Sequence, residues 1–167
     1  MAFLDGLIIR PARLEDLDVL VRFSAAMARE TEGRALDHEL LRRGTAAVLD
    51  SPDRGFYRIA EVPDPHANRV IAQLLVTFEW SDWRNANFWW LQSVYVDPSW
   101  RRKGVYRRLH DTVLQEARSR RDVCGVRLYV ERENHVAQEA YARVGLLPSV
   151  YQVFEEDFVL SRETKEK

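Results

Sequence analysis

Cysteine is almost missing from this chain. Its single residue, Cys124, excludes an internal disulfide framework and any cysteine-rich zinc site. Standing between Val123 and Gly125 ahead of a strand-like run, it reads as a small buried hydrophobe, with a reactive nucleophile as the alternative; no histidine lies near it in sequence. An excess of one charge is missing too. The 25 basic residues against 26 acidic ones leave a net charge of −1, whereas a dedicated nucleic-acid-binding domain carries a clear basic surplus. Long apolar runs are absent: the longest, Val70 to Phe78, is broken by Gln73 and is too short to span a bilayer. The opening Met-Ala-Phe-Leu-Asp has neither the basic region nor the apolar core of a signal peptide. A cytoplasmic protein with no membrane or nucleic-acid partner is therefore expected. His38, His66, His110 and His135 lack ligand-like spacing, so no metal site is expected, and His110 and His135 are expected on helix surfaces.

What is present is an ordinary globular composition. With 46% hydrophobic and 31% charged residues over 167 positions, the chain suits one domain, 1–167, with a sizeable core and a frayed charged tail from about residue 161. Periodicity predicts a strand over Leu7–Arg10, a helix from Leu14 to the stop at Gly33, and a second helix capped by Asp37. Strands follow over Phe56–Val62, Arg69–Trp80 and Phe88–Val96. A helix then carries Tyr106, Leu109, Val113, Leu114 and Ala117 on one face. After it come a strand over Gly125–Glu131, a helix opened by Asn134 and stopped by Gly145, and a last strand over Tyr151–Val159. The early strands join by short hairpins and the later ones need helical crossovers. The expected class is thus α/β (α+β), a mixed sheet with helices on both faces.

Two stretches carry chemistry. The first runs from the β-branched Val94-Tyr95-Val96 through Asp97-Pro98 into Arg101-Arg102-Lys103-Gly104-Val105-Tyr106 and a helix. Such a strand–turn–helix junction aims backbone N–H groups and the positive end of a helix dipole at one point, which suits an anion such as a phosphate. The bland alternative is a solvated basic turn. It is neither a Gly-x-Gly-x-x-Gly dinucleotide fingerprint nor a Gly-Lys-Ser/Thr phosphate loop, since the chain has neither. The second stretch, Asn134 to Gly145, lies thirty residues beyond Gly104. Taken alone, Asn134 is an ordinary helix cap and Tyr141 an ordinary half-buried aromatic.

Together the two stretches resemble the GCN5-related N-acetyltransferase (GNAT) superfamily. The family's pyrophosphate loop, Arg/Gln-x-x-Gly-x-Gly/Ala, is matched by Arg101 to Tyr106 except at its last position, where Tyr106 replaces Gly or Ala. The second motif, Asn-x-x-Ala-x-x-x-Tyr-x-x-x-Gly, is matched at every fixed position by Asn134, Ala137, Tyr141 and Gly145. The element order agrees from near residue 7 to near 159. The resemblance implies a mostly antiparallel central sheet of about six to seven strands, with the fourth and fifth splayed apart. It implies acetyl-CoA as cofactor, its pantetheine arm lying in that gap on the backbone of Val94 and Val96 like an added strand. Arg101, Arg102, Lys103, Gly104, Val105 and Tyr106 would hold the pyrophosphate. Asn134 would bond the arm, and Tyr141 would stand near the sulfur as general acid. The Tyr106 side chain must then turn away into helix packing.

The acceptor side is read from composition and from the same resemblance. Trp80, Trp83 and the Phe88-Trp89-Trp90 run are an aromatic cluster, either sheet packing or an acceptor wall able to hold an amine. Glu30 and Glu32, at the end of the first helix, are either exposed acids or an amine-recruiting pair, and Gln92 is placed to orient the acceptor or a water. The reading is an N-acetyltransferase acting on a primary amine of a small molecule. The alternatives are a regulatory acyl-CoA-binding domain without turnover, or transfer to a protein or peptide amine. Members of the family are commonly homodimers.

Overall fold

The computed structural model describes residues 6–65 and 68–159; His66 and the tail from residue 160 lie outside the described residues. The elements are β1 (Ile8–Pro11), α1 (Leu17–Glu32), α2 (His38–Asp50), β2 (Phe56–Val62), β3 (Arg69–Ser81), β4 (Ala86–Val96), α3 (Val105–Ser119), β5 (Val123–Leu128) and α4 (His135–Arg143). The strands lie in sequence order. The pairs β1–β2, β2–β3 and β3–β4 are antiparallel. β5 runs parallel to β4, as a strand reached through a helical crossover can.

Side chains alternate between the two faces of the sheet. Ala72, Leu74 and Val76 of β3 and Trp89 and Leu91 of β4 pack on Val105, Leu109, Val113 and Ala117 of α3. On the opposite face, Tyr57, Ile59 and Leu75 enclose Leu20 of α1, with Val48 and Leu49 of α2 packed against them. α1 ends at Gly33, whose left-handed φ of 66° lets its N–H reach the Ala28 and Arg29 carbonyls. α2 begins at Asp37, whose carboxylate accepts from the Leu40 N–H at 2.7 Å. Gly55 is required by space as well as by its φ of 150°, since a Cβ there would stand 2.2 Å from the Val76 carbonyl oxygen.

The edge strand β1 is fastened by charge. Arg10 donates to both carboxylate oxygens of Asp16, at 2.8 and 3.0 Å, and its Nε donates to Glu61 at 2.9 Å. Burial pushes the Asp16 carboxyl up, but Arg10 and the Arg13 N–H overcome this and hold it below the usual carboxylate range.

Between β3 and β4 the register steps from Gln73–Tyr95 to Leu75–Gln92, so β4 carries one extra residue. This bulge centres on Ser93, whose φ of 47° is unusual for a residue with a side chain. The buried Gln73 amide holds it, donating to the Ser24 hydroxyl at 2.9 Å and to the Ser93 carbonyl at 3.1 Å.

Three expectations need correction. The sheet has five strands among the described residues, not six or seven. The missing one is Tyr151–Val159, which joins no ladder and exposes Tyr151, Val153, Phe154, Phe158 and Val159. Strand propensity is realised only through pairing and packing, and the preceding α4 buries no residue fully. His110 is not a surface residue but 1% exposed. The buried stripe of α3 is wide enough to include it, one turn beyond Tyr106 on the same side of the helix. Cys124 is half-buried, with its thiol 3.7 Å from the Ala86 carbonyl.

Candidate active site

The basic turn is built by β4 and α3. After Val96, Asp97 caps the 3-10 turn Pro98–Trp100, accepting from the N–H and hydroxyl of Ser99 and from Arg69. The chain then takes left-handed geometry at Arg102 (φ 60°) and at Gly104 (φ 84°) before α3 begins. Such turns gather successive N–H groups into an anion-binding concavity. Among the described residues no side chain caps α3, whereas Asp37 and Asn134 cap α2 and α4. The N–H groups of Val105, Tyr106 and Arg107, in the first turn, have no acceptor within the helix and stand at its positive end. Arg102, Lys103, Gly104, Arg107 and Arg108 are exposed around them, with the Lys103 ammonium 5.0 Å over the Trp100 ring.

Arg101 is used differently from the expectation. Its Nε donates to the Val96 carbonyl at 2.9 Å, and its Nη2 donates to Glu30 at 2.6 Å, with the guanidinium 5.1 Å over the Tyr95 ring. The other Glu30 oxygen accepts from the Tyr95 hydroxyl at 2.7 Å. Glu30 therefore latches the end of α1 to β4 and to the turn, rather than standing open to an amine. Burial pushes the Glu30 carboxyl up, but Tyr95 and Arg101 more than offset this and leave it low. The Tyr95 phenol is pushed up to about 12 by burial and by Glu30 beside it. Glu32 is exposed at the helix end.

The β4–β5 pairing ends at Leu91–Leu128. Beyond it, among the described residues, Gln92, Tyr95 and Val96 pair with β3 alone, and Val94 and Val96 pack on the α3 side. The two strands thus part at Leu91, just before the bulge. α4 meets the first turn of α3 through Tyr141. The Asn134 side chain accepts from the Ala137 N–H at 3.1 Å, so its oxygen is spent on the cap and its NH2 is left as the outward donor. Tyr141, also on α4, has its phenol pushed up by burial. Its ring meets Tyr106 edge to face at 5.7 Å, and Tyr106 lies 5.8 Å from His110. The Tyr106 side chain thus turns inward, away from the cradle of N–H groups.

On the sheet face that carries α1, the end of β3 and the strands β4 and β5 form a second surface. Trp90 stacks on Tyr129 at 4.3 Å and donates its indole N–H to Glu79, which also accepts from Arg127 at 2.7 Å. The Arg127 guanidinium lies 3.6 Å over Phe88, and Phe88 fits against β5 only because position 125 is glycine: a Cβ there would be 2.8 Å from the ring. Gln92 donates to the Thr77 hydroxyl at 2.6 Å. Trp80 and Trp83 are 62% and 82% exposed. The aromatic run was legible in sequence; the parts played by Thr77, Glu79, Arg127 and Tyr129 were not, because each depends on cross-strand pairing. A separate recess of about 610 Å³, lined by Phe56, Phe78, Trp89, Glu116 and Arg120, lies at the other end of β4; of the residues expected at the site it takes only Trp89, from the aromatic run. Among the described residues no group of His, Cys, Asp and Glu could hold a metal ion, and no helix is long and apolar enough to cross a membrane.

Residues 22–146 match the model of the acetyltransferase (GNAT) family. A possible acetyltransferase from Clostridium difficile 630 shares 39% identity, with 92% of this chain and 99% of that one covered and a TM-score of 0.84. Two more distant structures share the fold. A predicted acetyltransferase from Clostridium acetobutylicum, solved with acetyl-CoA, is 17% identical over 90% of this chain and 96% of that one, with a TM-score of 0.71. An aminoglycoside acetyltransferase from an uncultured soil metagenomic sample, solved with sisomicin, is 16% identical over 94% and 98%, with a TM-score of 0.70. No curated protein matches the sequence. Family model, overall fold and close relative agree: this chain belongs to the GNAT family of acetyltransferases.

Proposed function

We propose that the chain is an acetyl-CoA-dependent N-acetyltransferase, acting on a primary amine of a small molecule with Tyr141 as general acid. The observation that carries this is a juxtaposition. The stretch Gln92–Val96 of β4, open on its β5 side, leads through the basic turn to a helix N-terminus without a side-chain cap among the described residues, and Tyr141 of α4 meets Tyr106 in the first turn of that helix. The donor set fits the cofactor. The N–H groups from Arg102 to Tyr106 suit a pyrophosphate. The unpaired edge at Val94 and Val96 suits the amides of a pantetheine arm, and the free NH2 of Asn134 can donate to the same arm. Arg101 serves this cradle through its backbone and by bracing it on Glu30.

Bound acetyl-CoA supplies a thioester that the amine attacks, leaving a sulfur in need of one proton. Tyr141 supplies that proton. Burial keeps its hydroxyl fully protonated at neutral pH, and the nitrogen sheds one proton as the amide forms, so Tyr141 is restored and the balance closes. A backbone N–H at the bulge near Val94 stabilises the developing oxyanion. Positioning the amine within the site removes much of the entropy barrier, an effect worth up to about 7–11 kcal/mol. The acceptor side is the surface around Trp90, Tyr129 and Gln92, with Trp83 and Glu32 at its margins; Trp80 falls on the α3 face of the sheet and lies outside it.

The test is a panel of amines scored by free thiol released from acetyl-CoA, with small amines, aminoglycosides and peptides as separate arms. Amine-dependent thiol release is expected for a small amine, and Tyr141→Phe is expected to slow it about 100-fold at unchanged acetyl-CoA affinity. Binding of acetyl-CoA without thiol release in any arm would point to a regulatory domain, and release with peptides alone would move the acceptor to protein amines.

A further inference from the structure

Position 106 is where the chain breaks the family's loop pattern, and the structure shows where the added side chain goes. Tyr106 keeps its backbone in the N–H cradle, while its ring runs inward between α3 and α4. There it meets the Tyr141 ring edge to face, centroids 5.7 Å apart and planes inclined at 67°. His110 supports it from behind at 5.8 Å. α4 fixes Tyr141 poorly by itself. It is nine residues long and buries none of them fully, and the chain beyond Gly145 is exposed. Among the described residues, the ring contact of Tyr141 is with Tyr106.

We propose that the Tyr106 ring is a positioning residue for Tyr141, a wall that sets the direction of the hydroxyl that would protonate the leaving sulfur. This rests on the reading of Tyr141 as general acid. The ring does the work, not its hydroxyl: that hydroxyl is enclosed without a hydrogen-bond partner among the described residues, so it is not bonded to Tyr141. Misplacing a catalytic group by about 1 Å can cost a factor of about 100, and a single aromatic wall is what a short, half-buried helix lacks. A glycine or alanine at 106 would leave that side of Tyr141 without support, so this chain has made its acid depend on a residue of the phosphate turn.

Four proteins test this: wild type, Tyr106→Phe, Tyr106→Ala and Tyr141→Phe, with Tyr106→Leu added if the alanine variant does not fold. Each is read in three ways. The Tyr141 ring signal is followed by NMR of tyrosine-labelled protein without ligand, assigned by its loss in Tyr141→Phe. The dissociation constant of acetyl-CoA is measured by calorimetry, and kcat by thiol release with the fastest amine of the panel. Tyr106→Phe is expected to keep the Tyr141 signal and kcat within about two-fold. Tyr106→Ala, or Tyr106→Leu in its place, is expected to displace the Tyr141 signal and lower kcat at least about ten-fold, with acetyl-CoA affinity held. A wild-type signal and kcat in the alanine or leucine variant overturn the proposal. So does a loss of acetyl-CoA affinity that accounts for the slowing, which would assign the ring to the cradle, or a Phe variant as slow as Ala, which would assign the work to the hydroxyl. A Tyr141→Phe variant at wild-type rate overturns the acid reading itself; the ligand-free NMR then still reports whether Tyr106 holds Tyr141, so the two failures are told apart.

Discussion

Replacing His110 by leucine is expected to stabilise the protein, and by an amount that grows in acid. His110 is 1% exposed, and neither ring nitrogen has a hydrogen-bond partner among the described residues. The nearest carboxylate oxygen, on Asp111, is 3.7 Å from Nδ1, beyond hydrogen-bond reach. A neutral imidazole thus encloses one donor and one acceptor, each costing about 1–3 kcal/mol when unsatisfied. Leucine has a similar volume, and the repacking it demands costs about 1 kcal/mol. The net gain is about 1–5 kcal/mol, or about 2–4 °C in Tm per kcal/mol for a chain of this length. The pH dependence has a definite sign. Burial lowers the His110 pKa from 6.5, with the neighbouring Asp111 opposing it only in part. Below pH 6.5 the unfolded chain therefore binds a proton that the folded chain refuses. Wild-type stability falls as the pH drops below that value, and this slope ends once the pH is below the folded pKa. The leucine variant lacks this slope. Urea unfolding of both proteins between about pH 8 and pH 5 measures it. A leucine variant less stable than wild type at neutral pH, or one with the same loss in acid, would refute the reasoning and show that the imidazole has hydrogen-bond partners in solution.

Two other perturbations probe the frame around the site. Asp16→Ala leaves Arg10 without its main partner at a 5% exposed position, and is expected to cost about 3–5 kcal/mol in urea unfolding at neutral pH. Because the Asp16 pKa is lowered from 3.8, the contribution it removes is present above that value and fades as the pH falls through the folded one. Glu30→Gln removes the carboxylate that helps hold the Tyr95 phenol at about 12, so alkaline spectrophotometric titration is expected to show that phenol shifting down towards the ordinary tyrosine value. An unchanged titration would mean that burial alone raises it.

The parts of the site read most directly from sequence are those set by local spacing. The turn from Arg101 to Gly104 and the run from Asn134 to Gly145 are each contiguous, and each opens a helix where its pattern says one should. The helix stop at Gly33 was legible for the same reason. What escaped was long-range. Arg101 looks like a phosphate ligand until Glu30, seventy-one residues away, takes its guanidinium. Asn134 had two readings, and its oxygen serves the plain one, the cap. The bulge at Ser93 has no glycine to announce it and exists because Gln73, Ser24 and the β3 register hold it. His110 sits at a position that helical spacing leaves between stripe and surface, and only the structure shows it enclosed, beside the Tyr106 ring. Tyr151–Val159 shows the converse: its apolar residues have strand character, but no partner strand among the described residues takes it up.

The central claim is that the N-terminal turn of α3 and the end of β4, open on its β5 side, together hold acetyl-CoA. Amide NMR of nitrogen-labelled protein titrated with acetyl-CoA tests it most directly. The expected result is saturable shifts, largest at Arg102 to Arg107 and at Val94 to Val96, with little change around Phe56 and Trp89 at the other end of the sheet. Shifts centred on that distant recess, or none at all, would contradict the account.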